Sequence, residues 1–152
     1  MSNESSPRKP PPQVPQDIKA FNQKVIEEHR ANHGQLSGMM AGRHVLLLTT
    51  TGARSGQPRT VVLGYGRDGD RCVVVASGNG APQHPLWYRN LLKNPNATVE
   101  VGAEKLEARA RTARPEERER LTPLVPYVKS EQEKTSREIP IVVLDPRQDP
   151  AG

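Results

Sequence analysis

The stretch LLLTTTGARSGQPRTVV, Leu46 to Val62, reads as a strand, a tight turn and a second strand. The turn gathers Arg54 and Arg59 around Ser55, between Gly52, Gly56 and Pro58. Glycine lets backbone N–H groups turn towards one point, the serine adds a hydroxyl, and two guanidiniums add charge. That set suits a phosphate or a carboxylate. It is not a P-loop, because the GxxxxGKS/T pattern is missing. An ordinary basic hairpin turn is the competing reading, since exposed arginines are common.

Two further stretches have residue types that bind ligands. In WYRN, Trp87 to Asn90, the spacing puts Trp87, Asn90 and Leu91 on one helix face. This is the single tryptophan of a chain with five aromatic residues. It reads either as core packing or as a wall beside a flat ligand, with Asn90 as a polar contact. In the loop ASGNGAPQ, Ala76 to Gln83, Gly78 and Gly80 permit close backbone approach. A plain loop is the simpler reading of a lone G-x-G. His29 and His33 stand four apart on the first helix, but no HExxH pattern or third ligand accompanies them, so no metal site is expected. His44 and His84 are isolated, and Cys72 sits in a valine strand as a small buried hydrophobe. No G-x-S-x-G elbow is present, which argues against a serine hydrolase.

Local pattern indicates the helices and strands that carry these residues. Asp17 to Ala31 reads as a helix after Pro15, capped by Asp17, with Ile18, Phe21 and Val25 on one face and Gly34 past its end. Gly34 to Gly42 is glycine-rich and irregular. Strands are expected at His44–Thr50, Arg59–Gly66 and Arg71–Ala76, with Asp68-Gly69 as a hairpin signal. A helix at 85–93 starts on Pro85 and stops at Asn94-Pro95. Ala97–Val101 is a strand, Gly102 turns the chain, and Leu106, Ala108, Ala110 and Thr112 alternate with charged residues on a half-buried strand. Pro115 opens another helix with Glu116 and Glu117 in its first turn, and Pro123 and Pro126 interrupt the segment beyond it. Ile139–Leu144 is a last apolar strand. About six antiparallel strands with three or four helices form a mainly β, α+β class. A curled or closed sheet with helices outside fits it best, and a dinucleotide-binding α/β fold fits poorly.

The 152 residues suit one domain. Hydrophobic residues make up only 34% and aromatics 3%. The low share is concentrated at the start: residues 1–16 carry five prolines among polar residues and read as a disordered or polyproline-type arm. The folded domain is set at 17–146, and 147–152 reads as a tail. The one cysteine precludes an intrachain disulfide framework and favours a reducing compartment. No window approaches the ~18 apolar residues of a membrane span, and no secretory signal is visible, so a cytoplasmic protein is expected. The net charge of +5 suits an anionic partner: a phosphorylated cofactor, a membrane surface or nucleic acid. The arginines are not interleaved with aromatics on a strand, as RNA platforms require.

The ordered series LLLTTTGARSGQPR, RDGDRCVVVAS, GAPQHPLWYRNLLKNPNATVEV and REIPIVVLDP resembles the deazaflavin-dependent nitroreductase family over Val45 to Pro146. The resemblance implies an antiparallel split β-barrel that binds coenzyme F420, a deazaflavin with a phosphate and an oligoglutamate tail. It implies hydride transfer from F420H2 to a quinone, a nitroaromatic compound or an enone. By position, the turn Ala53, Arg54, Ser55 and Arg59 would grip phosphate and tail. Thr60, Val61, Val62, Leu63 and Gly64 would run under the deazaflavin ring. Val75, Ala76, Ser77 and Gly78 would close another side, and Leu86, Trp87, Tyr88, Arg89 and Asn90 would supply a helix edge. Such chemistry needs alignment and dryness more than an acid or base. No catalytic group is assigned, though Tyr65, Tyr88 and Tyr127 are candidates on the substrate side.

Departures from the pattern are Ala53 and Gly78, where relatives often carry basic residues, and Val128 and Glu131, where tyrosines would be expected. A flavin (FMN) or haem-type binder on the same barrel is the alternative, and a basic nucleic-acid-associated module is a third reading. A monomer or a homodimer would both fit. Contact of the basic arm with the inner face of an anionic membrane would bring a quinone pocket near lipid.

Overall fold

A computed structural model describes residues 15–147. Most of the proline-rich arm and the final tail, residues 1–14 and 148–152, lie outside the described residues. Pro15 and Gln16, expected in the arm, belong to the first helix, α1 (Pro15–Ala31). Proline suits a helix's first turn because its missing N–H is not needed there. The helix thus starts before Asp17, which is not its cap. Its buried face is Val25, Ile26 and His29, whereas Phe21 is 39% exposed. His33 lies past the helix end with φ 56°, so it does not share a helix face with His29.

Seven strands succeed it: β1 (Val45–Thr51), β2 (Pro58–Gly64), β3 (Gly66–Asp68), β4 (Arg71–Val75), β5 (Asn96–Val101), β6 (Glu104–Thr112) and β7 (Ile141–Pro146). The sheet order is β2-β1-β5-β6-β7-β4-β3 with every pairing antiparallel. The expected single strand Arg59–Gly66 is two strands, which is why there are seven rather than six. Its halves sit at opposite edges of the sheet, yet only Tyr65 separates them. The sheet must therefore curl until its edges meet, and a split barrel results. The bend needs glycine: a Cβ on Gly66 would overlap the Leu124 carbonyl. The last strand begins two residues later than its apolar run suggests, because Ile139 and Pro140 lead into it as buried non-strand residues.

Side-chain alternation sorts the strands into two faces. Inward residues, among them Leu46, Leu48, Val74, Val99 and Leu144, pack around Trp87, Tyr88 and Leu91 of α2 (Leu86–Lys93). Outward residues Val73, Val75, Ile141 and Val143 pack against Leu121 of α3 (Pro115–Leu121) and Val128 of α4 (Tyr127–Gln132). α1 packs near β2. Each fully buried Leu or Val contributes about 1.5–3 kcal/mol relative to exposure, so these two clusters fix the barrel on which the loops are mounted. The loop after β4 ends at Pro85, which caps α2 rather than forming its first turn.

Candidate functional site

The β1–β2 hairpin is held open by its own hydrogen bonds. Gly52 N donates to Gln57 O at 2.8 Å and Gly56 N to Gly52 O at 2.9 Å. Gln57 N donates to Ser55 Oγ at 3.1 Å. Ala53 N donates to Asn90 Oδ1 at 3.0 Å. The glycine N–H groups are therefore occupied within the loop. The N–H groups of Arg54 and Ser55 and the Ser55 O–H have no acceptor among the described residues.

A cleft of about 320 Å³ lies between this hairpin and α2. Gly52, Ala53, Arg54, Ser55, Arg59, Leu86, Arg89 and Asn90 line it. A second cleft of about 480 Å³ on the hairpin adds Lys93. Among the described residues, no carboxylate pairs with Arg54, Arg59 or Arg89. Six of the other eleven described arginines do have such a partner, among them Arg30 with Glu100, Arg71 and Arg111 with Asp145, and Arg120 with Asp68. Three guanidiniums without a carboxylate partner around one cleft have the charge and the donors to hold an anion. The sequence places Arg89 only on the helix edge; the fold makes it a third cation beside Arg54 and Arg59.

Trp87 and Asn90 have less room to meet a ligand than Leu86 and Arg89. Trp87 is 7% exposed, part of the inner core, and meets Tyr88 edge-on at 6.3 Å. Asn90 is buried, and both ends of its amide are occupied: Oδ1 by Ala53, Nδ2 by Thr50 Oγ1 at 3.2 Å. Leu86, by contrast, is 63% exposed at the cleft. On β2, Val61 and Leu63 pack against the inner core, while Thr60 meets Thr49 hydroxyl to hydroxyl at 2.7 Å. Thr60, Val62 and Gly64 alternate with Val61 and Leu63 and so face the other way.

The loop that succeeds β4 is fixed from outside. Val75, Ala76 and Ser77 are buried, and Gly78 is exposed with φ 56°. The Arg137 guanidinium donates to four acceptors on this loop: Ala76 O at 3.2 Å, Ser77 O at 2.8 Å, Ala81 O at 2.9 Å and His84 Nδ1 at 2.9 Å. An arginine can only donate. Nδ1 of His84 is then the acceptor, and the neutral ring has its proton on Nε2. Burial, then Arg137 and Arg89, push the His84 pKa down. Sequence reasoning missed Arg137, although it stands first in the REIPIVVLDP stretch. Nothing local distinguishes an arginine that staples a distant loop from a solvated one.

The three tyrosines are scattered. Tyr88 is buried, with its hydroxyl 2.7 Å from Thr112 Oγ1. Tyr65 packs partly against the core and borders a separate cleft of about 290 Å³ with His33, Arg43 and His44. Tyr127 alone reaches the end of β2, where its hydroxyl donates to Gly64 O at 3.2 Å. Desolvation, with Glu131 nearby, pushes its pKa up to about 12, so the phenol keeps its proton at neutral pH. Among the described residues, no helix is long and apolar enough to cross a membrane.

Comparison with known proteins agrees with this architecture. The family model described as F420H2-dependent quinone reductase matches residues 22–146. An F420H2-dependent quinone reductase of Mycobacterium tuberculosis is 39% identical over 127 residues, 78% of this chain and 85% of its own length. A solved structure of an F420H2-dependent reductase matches with a TM-score of 0.61 at 37% identity, over 68% of this chain and 95% of the other. A second, described as a domain-swapped dimer, matches with a TM-score of 0.64 at 33% identity, over 87% of this chain and all of that one. The chain belongs to the F420H2-dependent quinone reductase family, deazaflavin-dependent oxidoreductases whose cofactor is coenzyme F420.

Proposed function

We propose that this chain reduces a quinone at the expense of F420H2, with the cofactor's phosphate and tail in the cleft of Arg54, Ser55, Arg59 and Arg89. The observation that carries this reading is the trio of guanidiniums around one cleft without a carboxylate partner among the described residues. A polyanion needs such a set, and a merely structural arginine does not. When bound, the reduced deazaflavin supplies a hydride. The protein's part is alignment. Arg54, Arg59 and Arg89 neutralise the anionic end. The Ser55 hydroxyl and the free N–H groups of Arg54 and Ser55 fix its direction. Asn90 holds the hairpin against α2, and Arg137 holds the loop Ala76–His84. The surface from Thr60 to Gly64 and the turn Val75–Gly78 would flank the flat ring and exclude water from it.

A cation in place of Ala53 or Gly78 is not required by this arrangement, since Arg89 supplies the third charge. A quinone is favoured as acceptor by the family's name, with nitroaromatics and enones as the other acceptors to try. Oxidation of F420H2, monitored by the return of F420 absorbance, tests the reading against all three classes. Quinone-dependent turnover is expected. Absence of F420 binding in a direct titration would overturn it. Sedimentation would separate a monomer from a homodimer, the second resembling the relative described as a domain-swapped dimer.

A further inference from the structure

The end of the barrel opposite the Gly52–Gln57 hairpin has a cleft of its own, about 290 Å³, at the start of β1. Val45 begins β1 and Thr51 ends it, so about 20 Å of extended strand separates this cleft from the hairpin. Five polar side chains line it: His33, Gln35, Arg43, His44 and Tyr65. Among the described residues, none of these side chains has a hydrogen-bond partner, and no carboxylate pairs with Arg43.

Carboxylates on the adjoining segments are engaged elsewhere. Glu28 accepts from Ser37 N at 3.2 Å and from Ser37 Oγ at 2.6 Å. Glu100 accepts from Arg30 Nε at 3.0 Å and Nη2 at 2.9 Å. Glu104, past the β5–β6 turn, lines a different cleft with Arg67. The same bonds brace the walls. Ser37 ties the loop after α1 back to the helix, and Arg30 ties the helix to β5. A Cβ on Gly34 would lie 2.9 Å from Gly102 Cα, so that loop meets the β5–β6 turn backbone to backbone. Unspent donors on a braced, concave surface need little reordering to hold a ligand.

The residue types say which ligand. Arg43 offers a planar fork of N–H groups and can only donate; Gln35 offers an amide NH2, Tyr65 an O–H, and each imidazole at least one N–H. The fork matches paired oxygens, and the remaining donors suit a group with several acceptor oxygens. We infer that this cleft is a second anion site, which holds a phosphate group on the Arg43 guanidinium with His33, His44 and Gln35 as further donors. It is independent of where the cofactor lies. Two sources carry that chemistry: free phosphate or a small phosphomonoester, and the phosphate of a lipid headgroup.

The test titrates the full chain with inorganic phosphate at constant pH and ionic strength. NMR follows the imidazole C–H resonances of His33 and His44, assigned with His33→Gln and His44→Gln. Both are expected to move saturably, while chloride at equal ionic strength leaves them in place. Arg43→Ala, at an exposed position, should weaken the phosphate affinity roughly tenfold. Arg54→Ala/Arg59→Ala should leave it as in wild type. Co-sedimentation with phosphatidylcholine vesicles, with and without phosphatidic acid, separates the sources. Binding that needs phosphatidic acid and weakens in Arg43→Ala identifies a headgroup; its absence identifies the free anion. Resonances that stay in place, or that move equally with chloride or in Arg43→Ala, overturn the inference and leave the cofactor cleft's reading intact. Failure of wild type to bind F420 overturns that reading and leaves this one standing.

Discussion

Asn90 Oδ1 accepts the backbone N–H of Ala53 at 3.0 Å, across 37 residues of sequence. Its Nδ2 donates to Thr50 Oγ1 at 3.2 Å. One buried amide thus joins α2 to the hairpin that carries Arg54 and Arg59. The cleft between hairpin and helix has a defined width because this clamp sets it.

Asn90→Ala leaves the Ala53 N–H without its partner and opens a gap beside Thr50. The expected destabilisation is about 1–3 kcal/mol, read by urea unfolding. F420 affinity is expected to fall about tenfold with it, because the hairpin no longer has a fixed distance from Arg89. Asn90→Asp keeps the acceptor for Ala53 and is expected to lose less affinity than the alanine variant.

Arg54→Ala and Arg59→Ala act on the anion and not on the fold. Both side chains lie on exposed residues without ion pairs among the described residues. Stability is expected to stay within about 0.5 kcal/mol of wild type. Hydrogen bonds to charged groups contribute about 1.5–3 kcal/mol each, so each substitution should weaken F420 binding by about tenfold or more. The double variant should also show a weaker salt dependence of binding, since two of the cleft's three guanidiniums are gone and Arg89 remains.

Arg137→Ala removes donors from three carbonyls and from His84. We expect a loss of about 2–4 kcal/mol in stability and poorer F420 binding through disorder of the Ala76–His84 loop. The His84 pKa is held down first by burial and then by Arg137. Its rise in the variant, measured by NMR titration, would separate the electrostatic part of the role from packing. Arg137→Lys keeps a charge but not the planar fork, and is expected to restore the pKa more fully than the binding.

Glu117 gives the fold an acid-sensitive joint. Its carboxylate accepts from Arg111 Nη1 at 2.8 Å and Nη2 at 3.1 Å, and from the Arg114 N–H at 2.9 Å. Those bonds, the Arg111 pair first, lower its pKa to about 2. A carboxyl depressed in the folded state contributes stability that is present above its unfolded value, near 4.5, and lost as pH falls towards about 2. Urea unfolding at pH 7, 4 and 2 should show this loss. Glu117→Gln should be less stable at pH 7 and flatter through the acid range.

Local pattern accounts for much of the architecture. The half-buried alternation from Leu106 to Ala110, the Asp68-Gly69 hairpin, the α2 stop at Asn94-Pro95 and the proline breaks around Thr122–Val125 are all written in residue types. Each depends on neighbours in sequence, so each was legible. The break at Tyr65 was not. Arg59–Gly66 reads locally as one strand with Gly64 inside it, and only pairing with strands far along the chain shows that β2 and β3 are opposite edges of one curled sheet.

The site divides in the same way. Residue types alone identified the groups able to hold an anion: Arg54, Ser55 and Arg59 around one turn, beside a Trp87–Asn90 helix. The folded arrangement settled which of them are free to do so. Asn90 became a clamp and Trp87 a core residue, because burial left them no free surface. Arg89 and Leu86 became the helix's contribution to the cleft, and Arg137 came from 60 residues away to hold the loop through Ser77 O. The physical reason is that donor and acceptor types are properties of single residues. Whether a donor is already occupied depends on which distant group the fold brings within hydrogen-bond reach.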